Sequence, residues 1–160
     1  MSIFHAVQIQ NEVPLEGIDP VLLRVAALVT LKHQNVTSPC ELAIVISDDA
    51  SLQALNARFR GVDRPTDVLS FVNDTRGPFA VVGAGDFPRY LGDIVISLPT
   101  AERQAEEAGC PVTQELQLLI VHGVLHLLGY DHADEAQKAQ MWKAQGEILT
   151  LLSIETSLPE

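Results

Sequence analysis

Between Ile3 and Ile9 apolar residues are separated by polar ones, which predicts an N-terminal strand. Asp19 then offers an N-cap and Pro20 a first helical position, so an apolar-rich helix is expected from there to about Lys32. A second strand is expected at Glu41 to Ile46. Ser47 and Asp48 are placed to cap a short helix carrying Leu52, Leu55 and Phe59, after which an arginine-rich turn, Arg58 to Pro65, leads into a third strand at Val68 to Val72. Glycines and prolines crowd Gly77 to Tyr90, the signature of a loop, with a short strand expected at Phe79 to Val82. Leu91 to Ser97 is the next strand, and Ser97 with Pro99 opens a polar helix that ends at Gly109.

The helix predicted from Thr113 to about Leu128 differs from the others. Leucine, isoleucine or valine occupies positions 116, 118 to 121, 124, 125, 127 and 128, so it is apolar on nearly every side and should be the central buried helix. A last helix, from about Asp134 to Leu152, carries Met141, Ile148, Leu149 and Leu152 near helical spacing on one face with Trp142 nearby, a stripe that reads as core contact. Strands and helices mix without strict alternation. The expected fold is therefore α+β, a single domain over 1–160 with a mixed sheet of about four strands packed with helices. The order of strands in the sheet is not encoded in this pattern.

Composition agrees with a folded globule: 160 residues, 47% hydrophobic and 19% charged, with no apolar run long enough to span a membrane. The opening segment lacks a basic start and a long apolar run before a cleavage site, so it reads as mature sequence of a cytoplasmic protein. Cys40 and Cys110 form neither a disulfide framework nor a C-x-x-C pair, and read as buried or idle thiols. A net charge of −11 argues on average against a nucleic-acid partner, but the charge is unevenly spread. From Arg58 to Arg103 six arginines balance six acids, while outside that segment four basic residues face 15 acids. The acidic remainder can equally be a solubilising shell.

Three of the five histidines fall in HGVLHLLGYDH, residues 122–132. Four residues make just over one helical turn, so His122 and His126 project from one face with Cβ atoms about 5–6 Å apart. Gly129 supplies a helix stop, and the reversed chain can return His132 to the same point. Three neutral imidazoles suit Zn²⁺ and leave a fourth position open. The alternative, hydrogen-bonded core histidines, is costly for two unpaired imidazoles in so apolar a helix. His5 and His33 have no such context and read as structural or exposed. The spacing also matches H-E-x-x-H-x-x-G-x-x-H of the zincin peptidases except that position 123 is glycine, so the general base of peptide hydrolysis is missing.

HGVLHLLGYDH, with LNARFRGVDRPTDVLSF at 55–71 and LGDIVIS at 91–97, closely resembles the YbeY family of bacterial metal-dependent endoribonucleases of ribosomal RNA maturation. The resemblance implies one divalent metal ion per chain, zinc by donor type, held by His122, His126 and His132. It implies Arg60 and the ligand His122 as catalytic residues, single-stranded RNA as substrate, and the small ribosomal subunit or its precursor as partner. A guanidinium at position 60 can grip two phosphate oxygens or neutralise charge that builds at phosphorus. Arg58 and Arg64 are candidates for neighbouring phosphates or are ordinary surface residues. Asp67 reads as a turn hydrogen-bonder, Asp93 is ambiguous between structure and site, and Asp131 is placed to orient a ligand from behind. The family often has proline after the SF of the second block, where this chain has Val72, and its 77–90 loop can be built differently, which bears on the rim of the site. Two other functions stand beside this expectation: a ribosome assembly factor with a structural metal, and a metallopeptidase, which Gly123 disfavours.

Overall fold

In the computed structural model, residues 5–73 and 89–153 are described. They form β1 (Ala6–Asn11), α1 (Pro20–His33), β2 (Cys40–Ser47), α2 (Asp49–Arg60), β3 (Val68–Val72), β4 (Arg89–Ser97), α3 (Leu98–Ala108), α4 (Val112–Leu127) and α5 (Glu135–Leu151). The sheet has the order β1-β2-β4-β3. β1, β2 and β4 run parallel and β3 is antiparallel to β4, so the expected mixed four-stranded α+β fold is the one observed.

Several boundaries differ from those the sequence predicts. β1 ends at Asn11 rather than Ile9, because its pairing continues to the far end of β2, Asn11 against Ile46. β4 begins at Arg89 rather than Leu91, since Arg89 and Tyr90 pair with Cys40 and Glu41 before the register shifts and Gly92 pairs with Leu42. The short strand expected at 79–82 lies outside the described residues. Asp48 alone caps α2, its side chain accepting from the Ser51 N–H, while the Ser47 hydroxyl is buried without a partner.

The alternation along each strand divides the apolar residues between two faces. Leu42, Ile44 and Ile46 of β2 and Ile94 and Ile96 of β4 join the main core, to which α1, α4 and α5 contribute. Val45, Val95, Leu69 and Phe71 look the other way and are covered by Leu52 and Leu55 of α2. A central strand apolar on both faces is what a sheet sandwiched by helices requires.

α4 is the central helix that its sequence predicts. Leu116, Ile120, Val121, Val124 and Leu125 are fully buried, each contributing about 1.5–3 kcal/mol relative to exposure. Its closest approach to the sheet is at Gly123, where an added Cβ would stand 2.9 Å from Ile94 Cγ2 and 3.0 Å from Cδ1. At the β4 bulge, Gly92 has φ +144°, and a Cβ there would lie 2.1 Å from the Phe71 carbonyl oxygen and 2.9 Å from Leu127 of α4. Two side-chain-free positions thus let β4 and α4 come together.

A second anchor joins the starts of α2 and α3. The Asp49 carboxylate accepts from Ser97 Oγ and Thr100 Oγ1 at 2.5 Å and from Arg103 at 3.0 Å. These bonds hold its pKa below the usual carboxylate value.

Candidate metal centre

α4 ends in a Schellman turn. The Tyr130 N–H donates to the Leu125 carbonyl and the Gly129 N–H to the His126 carbonyl, with Gly129 at φ +106°. This reversal, which glycine makes without Cβ strain, carries the chain back so that His132 lies beside the two helical histidines. One ring nitrogen from each of His122, His126 and His132 lies within 4.8 Å of the other two. His122 Nε2 and His126 Nε2 are 3.1 Å apart. Two nitrogens bound to one tetrahedral ion at about 2.0–2.1 Å sit roughly 3.3 Å apart, so the donor set and its spacing fit a divalent metal.

The protonation pattern supports the same use. The Gln145 side-chain oxygen lies 3.1 Å from His122 Nδ1; a carbonyl can only accept, so the proton sits on Nδ1 and the Nε2 lone pair is free. Burial, with His126 beside it, pushes the His122 pKa down to about 4 against the opposing pull of Gln145. Burial, then His132, lowers that of His126, and the nearby Arg60 guanidinium adds to the same direction. Both rings are therefore neutral near pH 7, the state a metal ligand needs.

Trp142 of α5 stands beside the cluster, its ring 5.8 Å from that of His122 and 6.1 Å from that of His132. The stripe on α5 is core as expected at Met141, Ile148 and Leu149, but Trp142 and Gln145 turn to the histidines. Neither role was legible in the sequence: Gln145 is a polar residue in a polar stretch, and only its spacing of three from Trp142 hints at a shared face.

The remaining candidates are distributed as follows. Arg60 is the last residue of α2, exposed, and close enough to His126 to act on it electrostatically. Arg58 is exposed and its guanidinium lies over the Phe59 ring at 5.1 Å, and Arg64 is an exposed turn residue whose carbonyl accepts from Asn56. Neither is brought to the histidines by a contact among the described residues. Asp67 Oδ1 accepts from the Val68 N–H, the turn role expected of it. Asp93 accepts from the Tyr90 hydroxyl. Asp131 bonds the His132 backbone N–H and so shapes the turn rather than orienting a ring. His5 accepts from the Cys40 N–H and is structural, and His33 lies 2.9 Å from the Gln34 amide. Both cysteines are free thiols.

A family model described as Endoribonuclease YbeY matches residues 7–153. The chain belongs to the YbeY family. Named YbeY endoribonucleases from Roseiflexus sp. (strain RS-1) and Chloroflexus aurantiacus are 47% and 48% identical to it, over 86% and 87% of this chain and 86% and 92% of theirs. A YbeY endoribonuclease from Geobacillus thermodenitrificans is 44% identical over 88% of the chain and 89% of its own. The solution structure of a Thermotoga maritima protein shares the fold at TM-score 0.59 and 24% identity, covering 91% of this chain and 88% of that one. YbeY membership and the three-histidine cluster together support a bound metal. Among the described residues no helix is long and apolar enough to cross a membrane.

The zincin alternative meets a physical obstacle at position 123. That position packs directly on Ile94, which leaves no room for a glutamate side chain.

Proposed function

We propose that this protein is a metal-dependent, single-strand-specific endoribonuclease that acts in maturation of small-subunit ribosomal RNA in the cytoplasm, with residues 1–160 as one catalytic domain. The observation that carries the reading is the convergence of His122, His126 and His132, with His122 and His126 held neutral, beside the exposed Arg60 guanidinium. Zinc is the ion that best suits three imidazoles. Such an ion, when bound, supplies Lewis-acid chemistry to a phosphodiester.

The side chains divide the rest of the work. Gln145 fixes the His122 tautomer and ring direction, and His122 takes its catalytic part as a ligand of the ion, with one ring nitrogen on Gln145 and the other turned to the metal. Arg60 holds the non-bridging phosphate oxygens and neutralises the charge that grows on them. Arg58 and Arg64 lie on the same chain segment and contact flanking phosphates of the RNA strand. The small-subunit precursor is the partner that fits an acidic protein: a surface of net charge −11 attracts naked RNA weakly and depends on a particle that presents the strand.

The test is cleavage of single-stranded RNA by wild type and His126→Ala, with bound metal quantified and circular dichroism recorded on the same samples. Cleavage by wild type, lost together with the metal in a folded variant, is the expected result. Metal retained by a wild type that cleaves neither RNA nor ribosomal precursor particles would replace this reading with that of an assembly factor. Arg60→Ala is expected to lower cleavage with metal content unchanged.

A further inference from the structure

Next to His122, on the side away from the Gly129 turn, lies a cavity of about 330 Å³ between α3, α4, α5 and the start of β3. That volume is at the small end of the range for small-molecule sites. Its polar lining is Asp67, Gln104, Glu115, His122, Trp142 and Gln145, and Leu118 and Leu119 supply apolar wall. Glu115 is only 7% exposed, yet among the described residues its carboxylate has neither a hydrogen-bond partner nor a cation. Burial and the neighbouring Asp67 push its pKa up. The orphaned buried atom of this wall is Trp142 Nε1, whereas the Glu115 oxygens open onto the cavity, where N–H groups of a ligand can reach them.

The lining holds two carboxylates and no lysine or arginine, so it repels phosphate. What enters must be neutral, flat enough to lie against an indole and leucine side chains, and rich in N–H donors. Of the four RNA bases, guanine alone presents two adjacent donors, N1–H and the N2 amine, on one edge, and these match the two oxygens of a carboxylate. Uracil offers one N–H between two carbonyls, while adenine and cytosine each place an amine beside a bare ring nitrogen. The Gln104 amide already donates to Asp67, and the Gln145 amide, whose oxygen faces His122, carries the N–H groups that the guanine O6 needs. We propose that this cavity is a guanine subsite, with Glu115 as the residue that reads the base beside the cleaved phosphate. The proposal rests on the endoribonuclease reading above and adds to it a base preference and the side chain that sets it.

Trp142 is the only tryptophan in the chain and lines the cavity, so its fluorescence reports occupancy without any turnover. The folded protein is titrated with UUGUU and with the same pentaribonucleotide carrying A, C, U or inosine at the centre. The expected result is a saturable fluorescence change with UUGUU at a dissociation constant about tenfold or more below those of the A, C and U probes. Inosine lacks the N2 amine and should lose most of that advantage, and Glu115→Gln should abolish it while circular dichroism stays unchanged. Equal binding of all five probes, no fluorescence response to any, or a guanine preference that survives both inosine and Glu115→Gln overturns the proposal. The inosine comparison uses wild type alone and so holds whether or not the variant folds. Guanine preference in binding without cleavage would sink the nuclease reading only, and cleavage indifferent to guanine would sink the subsite only.

Discussion

Replacing Gly123 with alanine sets two opposing effects against each other at the contact that seats α4 on the sheet. In an ordinary helix interior the change stabilises by about 1 kcal/mol, because glycine loses more backbone freedom on folding. Here the new methyl would stand 2.9–3.1 Å from Cγ2, Cδ1 and Cγ1 of Ile94, well inside the roughly 3.5–4.0 Å of a comfortable carbon contact. Ile94 is fully buried in a central strand, so any shift it makes is resisted by its own packing and overpacking should cost about 1–3 kcal/mol. The net expectation is a destabilisation of up to about 2 kcal/mol, or several degrees in Tm for a chain of this size. The cycle with Ile94→Ala separates the two effects: once the isoleucine is cut back, Gly123→Ala should become stabilising by about 1 kcal/mol, a reversal of sign. Urea denaturation with unchanged m-values reads both. Equal stabilisation by Gly123→Ala in the two backgrounds would refute the idea that close packing on Ile94 excludes a side chain at this position.

Other substitutions test the surrounding framework. Gly92→Ala should cost more than Gly123→Ala, since its methyl would meet the Phe71 carbonyl oxygen, which is backbone, in a conformation that disfavours L residues; thermal melts of the two variants rank them. Asp49→Asn should destabilise by about 1 kcal/mol near pH 7. Because the folded-state pKa of Asp49 is lowered from 3.8, its stabilisation is full above that pH and fades as pH falls below it, so the wild-type and variant melting curves should converge in acid. Gln145→Leu should keep the fold and weaken metal binding about 10- to 100-fold by freeing the His122 ring, as measured by chelator competition.

The parts of this protein legible in its sequence are those written in local pattern. The apolar run through α4, the His122–His126 spacing and the glycine at 129 each express a geometry within one or two turns, and the structure follows them. Asp48 as a cap and Asp67 as a turn residue are of the same kind. Strand order was not legible, because the pairing of β2 with β4 joins residues about fifty apart through side chains that would suit several neighbours. The start of β4 departs from the local pattern for a related reason: Arg89 and Tyr90 are strand because Cys40 and Glu41 need partners, not because their own pattern demands it. Gln145 and Glu115 carry no local signal, because a polar residue on a helix ordinarily marks the solvent side, and only the packing of α5 and α3 around α4 buries them.

All three histidines of the metal cluster come from the eleven residues 122–132. Bringing them together closes only a very short loop, so even an unfolded chain can present them to an ion at little entropic cost. An ion that also binds the denatured ensemble protects the native one by less than its affinity implies. Melting shifts on metal addition will therefore understate how tightly the folded site holds its ion.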